Sequence, residues 1–204
     1  MTLTHFAIIA VCAYLLGSLS FAIIVSKVTL GKDIRNYGSG NAGLTNAYRT
    51  MGAKKTLFVL LGDIAKGAAA VSVGWALGGP VGKLTAGIFV ILGHMFPLYF
   101  GFKGGKGVAV AAGTILAAAP RVFVALLVVF VVVVSISRIV SLTSITCAVC
   151  YPIFTAVDCV LAGSSHTVFN TVCALVMAAI VVWLHRTNIQ RLKNGTEYKF
   201  GSKK

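Results

Sequence analysis

Seven apolar runs, at about 4–27, 56–78, 82–100, 107–119, 121–137, 139–160 and 165–184, fill most of a 204-residue chain. Hydrocarbon offers no hydrogen-bond partners, so a backbone crossing it must satisfy its own N–H and C=O groups, and a helix of about 20 residues does so. Hydrophobic residues make up 58% and charged residues 11% of the sequence, and mean hydropathy is +0.94. Soluble domains carry about 25% charged residues, so the chain is read as an integral membrane protein. The first run has no Lys or Arg before it and is too long for a signal-peptide core, which predicts a retained span rather than a cleaved leader.

Charge sets the expected topology. The stretch from Val108 to Ser137 is almost unbroken and reads either as one long span or as two short ones hinged at Pro120-Arg121. With seven spans and the N-terminus outside, fifteen basic residues fall on the inner side, and only Lys83 and Arg121 fall outside. Merging the middle pair splits the basic residues eight against eight. Basic loops stay on the cytoplasmic side, so the sequence predicts an all-α polytopic protein with seven transmembrane helices, the N-terminus outside and the C-terminus cytoplasmic. One integral domain over 1–204 is expected, with its polar segments on one face.

The balance of 18 Lys and Arg against Asp33, Asp63, Asp158 and Glu197 gives a net charge of +14. In a soluble chain that excess would suggest nucleic acid. Here it reads as topology signal and attraction to anionic membrane lipid, with no nucleic-acid partner. So few acids leave little room for a metal site, and neither a metal nor a cofactor is expected. Cys147 and Cys150 form a lone CxxC inside an apolar run and read as small buried hydrophobes.

Three polar segments carry candidate chemistry. The first, GSGNAGLTNAYR at 38–49, matches GxGxxG by letter, but a membrane span precedes it where the dinucleotide fold needs a strand. Free backbone N–H groups with Ser39, Asn41, Thr45, Asn46 and Arg49 can instead cradle phosphate oxygens. The second, GHMFPLYFGFKGGKGVA at 93–109, offers Lys103 and Lys106 around bare glycines, with His94 about two turns inside the third span. An ionisable group at that depth is expensive and marks a candidate functional site. The third, HRTNIQRLKNGTE at 185–197, gathers His185, Arg186 and Asn188 within one helical turn. Asp63 and Lys66, three apart on the second span, share a helix face as an intramembrane ion pair and are expected to position the loops.

Together the three segments resemble the bacterial acyl-phosphate:glycerol-3-phosphate acyltransferases, the PlsY family, whose signature runs GSGNxGxTNxxR, GHxFPxxxxFKGGKGVA and HRxNIxRLxxGxE in that order. Leu44 stands where many members carry a smaller residue. The resemblance implies transfer of a fatty acyl group from acyl phosphate to the 1-hydroxyl of glycerol 3-phosphate, giving lysophosphatidate for phospholipid synthesis. It implies a multi-pass protein of the bacterial inner membrane with its active site facing the cytoplasm, and an opportunity for contact with the phosphate acyltransferase that makes acyl phosphate. Carried onto this chain, it implies catalytic roles for Ser39, Arg49, His185 and Asn188, and substrate or phosphate binding by Asn41, Thr45, His94, Lys103, Gly104, Lys106 and Arg186. Glycine N–H groups are expected to hold substrate or oxyanion. The proton acceptor is either His185 or the donor's own phosphate, and Ser39 is either a binding residue or a covalent nucleophile. The HxxxxD motif of acyl-CoA-dependent acyltransferases is missing, because none of His5, His94, His166 and His185 has Asp five residues later. A small anion transporter built on half-helix ends is the competing class; it is disfavoured by the lack of internal repeats. CDP-alcohol phosphotransferases would need clustered aspartates, which are absent from the sequence.

Overall fold

The computed structural model describes residues 2–200, and all regular structure among them is helical. The chain forms two compact units that divide between Ala118 and Ala119. The first unit holds α1 (Leu3–Gly17), α2 (Phe21–Leu30), a 3-10 turn at Ile34–Asn36, α3 (Leu44–Met95), a second 3-10 turn at Leu98–Phe100, and α4 (Val108–Ala118). The second holds α5 (Pro120–Ser137), α6 (Val140–Leu161), α7 (Thr167–Leu184) and α8 (Arg186–Lys193).

Among the described residues, five helical stretches are long and apolar enough to cross a membrane: Leu3–Leu30, Leu44–Phe100, Pro120–Ser137, Val140–Leu161 and Thr167–Leu184, with Val108–Ala118 shorter. The Leu44–Phe100 stretch is not straight. Gly79 adopts φ 58°, ψ −143° just before Pro80, and a Cβ on Gly74 would sit 2.5 Å from the Gly82 carbonyl oxygen. Residues eight apart on a straight helix lie roughly 12 Å apart, so the chain reverses at Gly79. The runs read at 56–78 and 82–100 are the two arms of this hairpin. The second arm stops at Met95, before Pro97, so His94 lies in its last turn rather than two turns inside. Between α4 and α5 the break predicted near Pro120 is present, at Ala119 with φ −152° and ψ 75°.

The first apolar run departs from expectation. It reads as continuous, yet the helix is interrupted at Ser18–Ser20. The interruption is sealed internally: Ser18 Oγ donates to the Tyr14 carbonyl, and Lys66 Nζ donates to the carbonyls of Gly17 at 3.0 Å and Leu19 at 2.6 Å. Non-helical backbone at membrane depth survives only where protein satisfies it in this way.

Small residues bring the helices of the first unit together. A Cβ on Gly17 would fall on the Val90 backbone, and one on Gly113 would fall on the Ile64 carbonyl. Such stripes let apolar helices pack by close backbone approach, because lipid supplies no hydrophobic drive between them. Ala22, Ile23, Ile34, Ala42, Ala47 and Val59 form a buried core beneath the polar loops. In the second unit, Val124, Leu127, Val128, Val131 and Val132 are exposed on α5, as a lipid-facing surface requires.

Candidate active site

In the first unit the 38–49 segment is organised by Asn46, which is 2% exposed. The two N–H bonds of its Nδ2 serve three carbonyls, those of Ile34 at 3.2 Å, Tyr37 at 3.0 Å and Asn41 at 3.0 Å. Its Oδ1 accepts from the Ser39 amide at 2.9 Å. One side chain therefore closes the whole loop. Gly38 (φ 59°) is required at its own position twice over, by the left-handed backbone and because a Cβ there would fall on Asn46 Oδ1. The loop holds Ser39 exposed, Asn41 and Thr45 half-buried, and Arg49 exposed on the first turns of α3.

The 101–107 loop is held from two sides. Arg35 Nη1 donates to the carbonyls of Phe100 at 2.6 Å and Lys103 at 3.2 Å, and its other nitrogens grip Asp33 at 3.0 and 2.8 Å. The Arg35 hydrogen bond holds the Asp33 carboxyl below the usual carboxylate range. On the opposite side, the Gly104 amide donates to the Met95 carbonyl and the Gly105 amide to the His94 carbonyl. The Gly104 N–H is therefore taken up by backbone. The reason for glycine is contact. A Cβ on Gly104 would fall on the His94 carbonyl, and one on Gly105 would fall on His94 Nε2. Lys103 is exposed on this brace and Lys106 half-buried, and α4 begins two residues beyond Lys106.

His94 is not at the loop surface. It is 3% exposed, with Nδ1 3.0 Å from Lys66 Nζ and 3.5 Å from Asp63 Oδ1. Lys66 and Asp63 form the ion pair expected from their spacing, at 2.9 Å with each side chain 2% exposed.

In the second unit, His185 ends α7 and is 3% exposed, its Nδ1 2.8 Å from the Val181 carbonyl. A carbonyl only accepts, so the network assigns a proton to Nδ1. Arg186 is exposed and lies over the Trp183 ring at 4.4 Å. Asn188 is buried at 6% and donates to Glu197 Oε1 at 2.8 Å. Glu197 also accepts from Ser141 Oγ at 3.0 Å and from Arg191 Nε at 2.7 Å.

Arg35 and Glu197 were not singled out as site residues from the sequence, and Asn46 was read there as a phosphate partner rather than as the brace of its own loop. Glu197 did carry a signal, as a lone acid closing a basic segment. Burial raises its carboxyl, but the bonds from Arg191, Asn188 and Ser141 outweigh burial and hold it below its ordinary value. Its contribution is therefore present above about pH 4.3 and is lost as pH falls through the lower folded value. Glu197→Gln is expected to cost roughly 1–3 kcal/mol, read as a lower melting temperature in detergent at pH 7 whose difference from wild type narrows in acid. Equal melting temperatures at pH 7 would refute this.

A family model described as glycerol-3-phosphate acyltransferase matches residues 7–195. A glycerol-3-phosphate acyltransferase of Geobacillus kaustophilus (strain HTA426) is 42% identical over 196 residues, covering 95% of each chain. The crystal structure of PlsY (YgiH), an integral membrane glycerol 3-phosphate acyltransferase, in its glycerol 3-phosphate form is similar with a TM-score of 0.87, 37% identity and 96% of each chain covered. Its lysophosphatidic acid form gives 0.84 and 35%, over 96% of this chain and 95% of that one. The chain described here is an integral membrane protein and belongs to the glycerol-3-phosphate acyltransferase family.

Proposed function

We propose that this chain transfers a fatty acyl group from acyl phosphate to the 1-hydroxyl of sn-glycerol 3-phosphate, releasing phosphate and forming lysophosphatidate for phospholipid synthesis. The observation that carries the reading is the braced 101–107 loop, which holds Lys103 exposed at the end of an apolar helical hairpin while its Gly104 and Gly105 amides are bound to backbone. Anionic head groups and a fatty chain need that combination of cation and apolar surface. The relatives' names, and structures of one of them with glycerol 3-phosphate and with lysophosphatidic acid, support the same substrate and product.

Phosphate is already a good leaving group, so the demands on the protein are positioning, oxyanion stabilisation and removal of the hydroxyl proton. Arg49, Lys103, Lys106 and Arg186 bind phosphate oxygens. Ser39, Asn41, Thr45 and Asn188 hold substrate hydroxyls or the oxyanion, with Ser39 binding rather than forming an acyl-enzyme. The hydroxyl proton goes to His185 Nε2, a role favoured by the Nδ1 bond to the Val181 carbonyl, or to the leaving phosphate. Seven spans with the N-terminus outside, an inner-membrane location and a cytoplasmic-facing site complete the proposal, with 1–204 working as one acyltransferase domain that can receive acyl phosphate from the enzyme that makes it.

The test supplies purified protein with acyl phosphate and glycerol 3-phosphate in a chelator. Lysophosphatidate should form, and acyl-CoA should not replace the donor. Lys103→Ala is expected to raise a substrate KM roughly 10- to 100-fold, the value of one charge-assisted hydrogen bond. No product from acyl phosphate, or turnover with acyl-CoA at the same rate, would overturn the donor assignment.

A further inference from the structure

The Lys66 ammonium is paired by charge with Asp63 Oδ1 at 2.9 Å and makes three hydrogen-bond contacts inside the first unit, with His94 Nδ1 at 3.0 Å, Gly17 O at 3.0 Å and Leu19 O at 2.6 Å. Its three hydrogens match those three contacts. An N–H at His94 Nδ1 would point hydrogen at hydrogen across 3.0 Å, so Nδ1 must offer its lone pair to the ammonium. The longer 3.5 Å separation from Asp63 Oδ1 agrees, since no hydrogen is needed there. The neutral ring then carries its proton on Nε2, the edge that abuts Gly105. Gly105 in turn lies against the Ala42 carbonyl: a Cβ added to it would approach that oxygen to 2.6 Å. Ala42 belongs to the loop that holds Ser39, and Gly105 to the loop that holds Lys103.

We propose that Asp63, Lys66 and His94 are positioning residues for the transfer reaction: the buried ammonium locks His94 as the Nε2–H tautomer, and that edge of the ring sets the spacing of the Ser39 and Lys103 loops. In this role the cluster acts through the two loops rather than on the reacting atoms. Its product is geometry, and displacement of a reacting group by about 1 Å can cost 100-fold in rate. Buried ion pairs of this kind contribute little net stability but fix one arrangement, and removing only one partner strands a charge. The neutral pair Asp63→Asn with Lys66→Met therefore separates the two effects.

The proposal rests on the acyltransferase reading for one arm of its test and is independent of it in the other. In the first arm, 15N spectra of histidine-labelled protein in detergent, assigned with His94→Gln, should show His94 protonated on Nε2 in wild type and a mixture of tautomers in the Asp63→Asn, Lys66→Met protein. A His94 ring protonated on Nδ1, or one unchanged in the double variant, overturns the proposal whatever the enzyme's reaction. In the second arm, the double variant should lose about 100-fold in kcat with its melting temperature within a few degrees of wild type, and His94→Gln, which keeps a donor near Nε2, should retain at least 10-fold more kcat than His94→Leu. Loss of melting temperature without loss of kcat per folded enzyme, or equal kcat for Gln and Leu, would show a merely structural cluster. A wild type inactive with acyl phosphate would count against the substrate assignment alone, leaving the spectral arm to decide the positioning one.

Discussion

Gly105→Ala is expected to lower kcat/KM by about 100-fold while leaving a folded protein. The added methyl would fall on His94 Nε2 and approach the Ala42 carbonyl to 2.6 Å. His94 is held by Lys66, and Ala42 is fully buried, so neither can give way cheaply. The 104–107 backbone must lift instead, breaking the Gly105 amide bond to the His94 carbonyl and carrying Lys103 and Lys106 with it. Gly105 has no positive φ, so steric contact alone is at work. Gly101→Ala is the control: its φ is 67° with nothing within 4 Å of an added Cβ, so it should cost about 1–2 kcal/mol of stability and change kcat/KM less than about 3-fold. Parallel assays of the two variants decide the point, and equal activities would refute the contact explanation.

Asn46→Ala is expected to lower stability by roughly 3 kcal/mol and activity by about 100-fold. The substitution leaves the carbonyls of Ile34, Tyr37 and Asn41 and the amide of Ser39 without their shared partner. Ser39 and Arg49 stand on either side of that partner in the chain, so loosening it blurs both. Asn46→Asp is a sharper version, since it turns an oxygen rather than an amide toward three carbonyls. Thermal melts and initial rates on the same preparations test the pair; an Asp variant as active and stable as wild type would contradict the donor assignment.

The large features of the fold were legible because they depend on local composition. Gly78-Gly79-Pro80 interrupts apolarity visibly, and Ala119-Pro120 marks a break that the distribution of Lys and Arg required. The interruption at Ser18–Ser20 was hidden because Leu16, Leu19 and Phe21 keep the run apolar. Gly17, Ser18 and Ser20 mark the spot only weakly, and the ammonium from another helix that satisfies its carbonyls has no local signal. The site shows the same division. Residue types suited to anions could be read directly. Which amides were already taken could not, because the bonds from Gly104 and Gly105 run to the end of α3. Asn46 looked like one more loop side chain, since its value lies in the carbonyls that tertiary structure gathers around it.

The Lys66 bonds to the carbonyls of Gly17 and Leu19 bear on how the chain enters its membrane. Taken alone, the first apolar segment would carry open carbonyls into hydrocarbon, and the second would carry an ammonium and a carboxylate. Each by itself is a poor substrate for lateral release into lipid. Paired, the two segments hide these groups in one another, which lowers the cost of both in hydrocarbon.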